Sequence, residues 1–433
     1  MSTTHPPRAA QPGDPSGVRT RAEPGIDPRR WPDVVRVPRA PLRGRAARAL
    51  AAYAFAHSPI RVATPGGPVP AAGGPDAPLL ELHRPDHFYR RLATAGLIGF
   101  GESYMAGDWS APEPVRLLTV LAEHYGALVP RPLQPLRHVT LPRRSHRHRN
   151  TRSGARRNIH HHYDLSNDLF ALFLDETMTY SAALFEGAAD GGPAELAAAQ
   201  RRKIDRLLDA TRVGEETRVL EIGTGWGELA LRAARRGARV TSVTLSPEQR
   251  DLARERARRA GVADRTDIRL CDYREVEGRY DAVLSVEMIE AVGERYWPVY
   301  FTELDRHTAP GGRVGLQAIT MEHTLMRASR GSDTWMHKYI FPGGLIPSVP
   351  AIEEQVRRRT GLRIADRRAF GSDYAETLRI WRERFEAAEG EVAALGFDAV
   401  FRKMWSFYLA YCEAGFRAGM IDVEQIVMER DRP

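Results

Sequence analysis

The sequence predicts an α/β protein in which a mostly parallel sheet carries helices on both faces, preceded by a smaller α+β region. Beyond Asn158, the short apolar runs RVLEIGT, RVTSVTL, DIRLCD, YDAVLSVE and GRVGLQAI alternate with helical runs such as ELALRAARR and PEQRDLARERARRA. Strands that alternate with helices pair in parallel, because each crossover lays its helix on a sheet face. A glycine-rich turn joins the first of these strands to its helix in VLEIGTGWGELALRAA. At 433 residues the chain can build more than one hydrophobic core.

In chain order, residues 1–35 are rich in Pro, Gly and Arg without apolar periodicity, and are expected to be a structureless leader. Residues 36–127 are expected to form a small α+β domain. Its first helix, PLRGRAARALAAYAFAH, opens with arginines and continues with apolar residues, a pattern suited either to a membrane surface or to packing within its own domain. The strands IRVAT and LLELH, a helix around Phe88–Ala95 and the stretch GLIGFGESYMAGDWS follow. The glycines of that stretch predict tight turns, and Tyr104, Met105 and Trp109 supply apolar bulk.

Residues 128–157 form a basic linker, dense in Arg and His with no acidic residue from Arg131 to Arg157. Such a block reads as a solvated linker or as a seat for phosphate headgroups, at about 1 kcal/mol per charge. It has no interleaved aromatic residues, which argues against single-stranded nucleic acid. Residues 158–433 form the larger α/β domain.

The net charge of +8 points to an anionic partner. With Cys271 and Cys412 as the two cysteines, neither a disulfide framework nor a thiolate zinc site can be built, and a reducing cytosol is expected. No apolar run approaches the roughly 20 residues of a membrane span, and the N-terminus lacks a signal-peptide core, so neither secretion nor membrane insertion is expected. The run NIHHHYDLSNDLF suggests a metal site, but adjacent residues of a regular element point their side chains apart, and no metal is expected.

The chemistry-bearing turn places Gly223, Gly225 and Gly227 after an acidic strand end, Glu221. Its GxGxG spacing differs from the GxGxxG dinucleotide fingerprint. It resembles the S-adenosylmethionine (SAM) motif of class I methyltransferases. An acidic ribose-binding residue is missing after the second strand, where SVTLSPEQ offers Thr244, Leu245 and Gln249 instead. In CDYR, Asp272 and Tyr273 stand where adenine would lie, although an Asp at a strand end also serves as a turn former.

HYDLSNDLFALFLDETMTYSAALF, SVEMIEAVGERYWPVYF and HKYIFPGGLIPSV followed by FGSDYAETLRIWRERF complete a resemblance to the cyclopropane-fatty-acyl-phospholipid synthase family, from about Asn158 onward. The resemblance implies a class I SAM-methyltransferase fold, Rossmann-like with a seven-stranded, mostly parallel sheet, behind an N-terminal lipid-binding domain. RWPDVVRVPRAPL, AAAQRRKIDRLLD and SVEMIEAVGERYW look most similar to the branch that methylates oleoyl phospholipid toward tuberculostearic acid.

It further implies SAM contacts at Tyr180 and Ser181, and an acyl-chain-covering insertion at about residues 322–380 that includes Trp335, Lys338, Tyr339 and Phe341. A bound bicarbonate would act as base, with Glu290, Tyr374 and Ile319 among the catalytic positions. Ala182 and Gln317 stand where the family's cysteine and histidine would be. A glutamate beside an anion must share or keep a proton, so the Glu290 pKa is expected to be raised.

The implied substrate is an unsaturated phospholipid at the membrane surface, met by a cytoplasmic enzyme peripheral to the inner face. Methyl addition gives a cation that collapses to a 10-methylene chain or, alternatively, to a cyclopropane. A separate reductase would complete a 10-methyl product, no nucleic acid is involved, and a homo-oligomer is compatible. An RNA methyltransferase and a non-catalytic lipid-binding protein are the competing readings.

Overall fold

The computed structural model describes residues 25–126, 166–186 and 193–431. Most of the leader, the basic linker and the histidine run lie outside these described residues.

The N-terminal region pairs β1 (Arg61–Thr64), β2 (Gly67–Val69), β3 (Leu79–Leu82) and β4 (Trp109–Ser110) in the order β2-β1-β3-β4. Its first helix, Pro41–Ala56, buries Ala47, Ala51 and Phe55 and leaves Leu42, Leu50 and Tyr53 exposed.

Two expectations for this region are corrected. Residues 25–35 are not part of a structureless leader: Trp31 and Val34 are buried, and the Trp31 indole donates to Asp398 at 2.8 Å. The buried Arg91 ties the segment down by donating to the carbonyls of Asp33 and Val34.

The glycine-rich stretch turns at Gly96 and Gly107, with φ of 55° and 71°, but between them it is helical as far as Met105 rather than a series of turns. Gly99 and Gly101 serve close packing instead. A Cβ on Gly99 would lie 2.1 Å from the Arg91 carbonyl oxygen, and one on Gly101 would lie 2.4 Å from the Trp335 ring.

The larger region has the expected sheet: β5 (Arg218–Ile222), β6 (Arg239–Thr244), β7 (Thr266–Leu270), β8 (Tyr280–Val286), β9 (Thr308–Met321), β10 (Leu362–Ala369) and β11 (Ile421–Arg430). Their order is β10-β11-β9-β8-β5-β6-β7, and β11 runs antiparallel to both of its neighbours. β5 to β9 are the five apolar runs read from the sequence. The strand order reverses beside β5, so the crevice at its carboxyl end is where such a sheet takes a ligand.

The stretch 322–380 is not a simple insertion between strands. It contains the helices His323–Ser329, Trp335–Tyr339 and Val349–Arg359, but then supplies β10, the edge of the main sheet, and the start of the helix Gly371–Ala387.

The helix Trp335–Tyr339 binds the two regions together. Tyr339 donates to Glu102 at 2.8 Å, Lys338 is paired with Glu102 and Asp33, and the Trp335 ring lies 4.9 Å from that of Phe407. One apolar core therefore runs through both, from Phe88 and Trp109 to Trp381 and Trp405.

Gly99→Ala is expected to destabilise the protein by about 1–3 kcal/mol, because backbone must move to admit the methyl group. Urea unfolding should show a lower midpoint, while Gly74→Ala, with open space around its site, should be near neutral.

Candidate active site

The turn after β5 is held by its backbone. The amides of Gly223 and Thr224 donate to the Val243 carbonyl at 2.9 and 3.2 Å, and Gly223, Gly225 and Gly227 all have positive φ. Their surroundings differ. A Cβ on Gly223 would meet Met288 at 2.6 Å and one on Gly227 would meet Ala253 at 2.9 Å, whereas at Gly225 nothing lies within 4 Å. Gly225 thus presents bare backbone to open space, which fits the close approach of a ligand.

Glu221, at the floor of the turn, accepts from Ser242 at 2.5 Å, and the Ser242 hydroxyl also meets that of Thr224 at 2.7 Å. Burial pushes the Glu221 carboxyl up to about 8. After β6, Thr244 donates to Gln249 Oε1 at 2.9 Å, which leaves the Gln249 amide nitrogen as the group it can offer to a ligand. Leu245 follows it, half-buried.

Asp272 is engaged as a turn former: it accepts from the Arg274 amide at 3.0 Å and pairs with the Arg274 guanidinium at 2.5 Å. The Tyr273 ring stands edge-on to Tyr300.

Tyr180 and Ser181 directly precede Ala182, a member of a second cluster. The Tyr180 hydroxyl meets that of Tyr408 at 2.7 Å and its ring stacks on Trp381, while the Ser181 hydroxyl accepts from the buried Lys203 at 2.5 Å. Tyr374 stands edge-on to Trp381, and Phe341 edge-on to Tyr408. These rings form an aromatic wall beside the carboxylates described next.

The second cluster centres on Glu287, one residue past β8. Its Oε1 accepts from the Ala182 amide at 2.9 Å and from Gln317 Nε2 at 2.8 Å, and its Oε2 accepts from the Tyr374 hydroxyl at 2.7 Å. Gln317 cannot turn its carbonyl inward, because Gln425, its cross-strand partner on β11, donates to that oxygen at 3.0 Å.

Glu287 has φ of 51°, a left-handed conformation that costs a side-chain-bearing residue about 1 kcal/mol or more. Its amide donates to the Gln317 carbonyl at 2.8 Å, which holds that geometry. Burial raises the Glu287 pKa, opposed first by the charge of Lys203 and then by the three donors. Lys203 itself is brought down to about 8 by burial, with Glu287 and Asp175 pulling the other way.

Glu290 behaves differently. Its Oε1 accepts from the Ile319 amide at 2.5 Å, while its buried Oε2 has no hydrogen-bond partner among the described residues. Burial and the neighbouring charge of Glu287 push it up to about 8. Donors and the Lys203 charge favour the ionised form at Glu287 more than at Glu290, so of the two carboxyls Glu290 is the one that favours keeping its proton.

Glu290 carries the raised pKa expected of it, but it stands beside the donors rather than at the point on which they converge. Ala182, Gln317 and Tyr374 converge as expected, but on Glu287; Glu290 and Ile319 pair with each other beside them. Trp335, Lys338 and Tyr339, expected to cover an acyl chain, join the two regions.

Sequence reasoning missed Glu287, Lys203 and Gln425. Glu287 was visible as the first acidic residue after the apolar strand. Lys203 was visible as one of only three lysines among 63 basic residues, on a helix face shared with Leu196, Ala199, Ile204 and Leu207. Gln425 carries no local signal, since its role depends on strand pairing.

This chain is similar to known proteins. The family described as mycolic acid cyclopropane synthetase matches residues 150–426. Tuberculostearic acid methyltransferase UfaA1 of Mycobacterium tuberculosis is 55% identical over 414 residues, 94% of this chain and 97% of that protein. The cyclopropane-fatty-acyl-phospholipid synthase of Escherichia coli K12 is 35% identical over 81% of this chain and 87% of its own length. A solved structure of mycolic acid cyclopropane synthase CmaA1, complexed with SAH and CTAB, is 29% identical and covers 64% of this chain and 98% of that one, with a TM-score of 0.58.

The raised Glu290 pKa couples ionisation to folding. The folded state keeps this proton up to about 8, whereas an unfolded chain releases it near the ordinary carboxyl value of 4.5, so rising pH between these values favours unfolding. Glu290→Gln is therefore expected to gain stability over the parent at about pH 9, by a few kcal/mol at most, with the gain vanishing toward about pH 5. Thermal unfolding of both proteins across pH checks this.

Proposed function

The chain belongs to the mycolic acid cyclopropane synthetase family, and from that premise we propose that it is a SAM-dependent fatty-acyl methyltransferase that converts the oleoyl chain of a phospholipid to its 10-methylene derivative. The observation that carries this reading is a half-buried carboxylate, Glu287, fixed near the glycine turn and next to an aromatic wall. The 55% identity to a tuberculostearic acid methyltransferase over nearly the whole chain supports the branch and the product.

An isolated cis alkene has no acidic proton and is a weak nucleophile. SAM bound at the turn would supply an electrophilic methyl group. The protein's own part is to hold the alkene in a dry, near-attack position, to face the resulting cation and then to remove a proton. Backbone at Gly223, Gly225 and Gly227, with Glu221, Thr244, Leu245, Gln249, Asp272 and Tyr273, would hold the donor, and Tyr180 and Ser181 would close over it.

Tyr180, part-exposed and backed by the buried rings of Trp381, Tyr374 and Tyr408, can offer a π-face to positive charge, and the rings behind it exclude water. A hydride shift before proton loss leaves an exocyclic methylene, whereas direct loss of a methyl proton closes a cyclopropane. The relative from Escherichia coli keeps the second product as the alternative.

Among the described residues no helix is long and apolar enough to cross a membrane. Substrate in a bilayer must then be met from the surface, and the helix Pro41–Ala56 suits that role, with Arg43 and Arg45 exposed beside Leu42, Leu50 and Tyr53. The basic linker would add to the attraction. A separate reductase would be needed for a 10-methyl product.

Incubation with SAM and dioleoyl phospholipid vesicles, followed by mass spectrometry, is expected to give an acyl chain one CH2 heavier. Ozonolysis should cleave it to a ketone; resistance to ozone would mean the cyclopropane, and no mass gain would refute the methyltransferase reading. Replacing Arg43 and Arg45 by alanine should weaken binding to anionic vesicles roughly thirtyfold, at about 1 kcal/mol per charge, and leave binding to neutral vesicles unchanged in a co-sedimentation assay.

A further inference from the structure

The groups that the family resemblance assigns to bicarbonate do not fit a free anion in this chain. The Ala182 amide, the Gln317 amide nitrogen and the Tyr374 hydroxyl all donate to the carboxylate of Glu287, and the Ile319 amide donates to Glu290. An added anion would find these donors taken and would stand against the Glu287 charge.

We propose that Glu287 is the enzyme's resident base: its carboxylate occupies the anion position and takes the proton that ends the reaction, so that turnover needs no bicarbonate. The inference rests on methyl transfer to an alkene as the activity. The geometry argues for placement by design. Two adjoining strands, β8 and β9, the segment at Ala182 and the helix of Tyr374 all contribute to holding one side chain, and Glu287 keeps a left-handed backbone to reach them.

Lys203, one helix away, supplies the positive charge that opposes the rise burial imposes on this carboxyl, and Gln425 fixes the Gln317 amide so that it donates. The charged and titratable groups around Glu287 are thus Lys203 and, beyond it, Asp175, together with Glu290 and Tyr374.

The electrons balance. The alkene π pair forms the bond to the methyl carbon, while the carbon–sulfur pair stays on sulfur. A hydride moves from the methylated carbon to its neighbour, which transfers the positive charge to the branched carbon. A Glu287 oxygen then takes a proton from the new methyl group, whose C–H pair becomes the exocyclic double bond. The carboxyl returns its proton to water after product release.

The test compares the parent protein, Glu287→Gln and Glu287→Gly on dioleoyl phospholipid vesicles with SAM, in buffer stripped of carbon dioxide and in buffer with added bicarbonate. The parent rate should be the same in both buffers. Glu287→Gln should lose about a hundredfold or more in kcat while still binding SAH, which reports an intact fold. Glu287→Gly, with the anion position vacated, should be inactive in stripped buffer and regain activity when bicarbonate or formate is added.

A parent rate that collapses without bicarbonate, or a Glu287→Gln variant as fast as the parent, would overturn the inference and leave the methyltransferase reading intact. If the parent yields no methylated lipid in either buffer, that reading fails and the inference falls with it.

Discussion

A carboxylate buried among donors is the constraint on which the rest of the site depends. Burial disfavours the charged form of Glu287, and each surrounding group offsets part of that cost: an amide at Ala182, an amide side chain on β9, a tyrosine hydroxyl and the charge of Lys203. Two further groups hold these in turn. Gln425 orients Gln317, and Ser181 receives Lys203. The neutral Glu290 beside it follows from the same physics, since two carboxylates this deep cannot both be charged without strong repulsion.

The same elements link this carboxylate to the glycine turn and to the N-terminal region. Gly223 is in contact range of Met288, next to Glu287, so the glycine turn after β5 and the carboxylate after β8 meet at the carboxyl ends of paired strands. Tyr374 leads through Trp381 to Tyr180, and Tyr180 to Tyr408 and Phe341, a continuous aromatic lining suited to an apolar chain and a transient cation. The helix Trp335–Tyr339 then locks this wall to the N-terminal region through Glu102 and Asp33.

Much of the fold was legible because it is local. β5 to β9 are compact apolar runs, and the glycine turn declares itself by spacing. β10 and β11 were not singled out: LRIADRRA is a mostly exposed edge, and its identity as a strand comes from pairing with β11. The stretch GLIGFGESYM misled because glycine signals either a turn or a close approach. Only the contacts of Gly99 with Arg91 and of Gly101 with Trp335 distinguish the two. At the site, the donors at Ala182, Gln317 and Tyr374 were readable from motif positions, but what they donate to was not. Glu287 and Glu290 are three residues apart, and the side chain that reaches the donors is decided by a backbone φ that sequence does not display.

The central claim is that one carboxylate of the chain itself fills the anion position. A high-resolution crystal structure of the SAH complex, grown in concentrated bicarbonate, tests it most directly. The account predicts the Glu287 carboxylate within hydrogen-bonding distance of the Ala182 amide, Gln317 and Tyr374, with no separate anion between them. A planar carbonate-shaped density on those three donors, with Glu287 turned away, would contradict it.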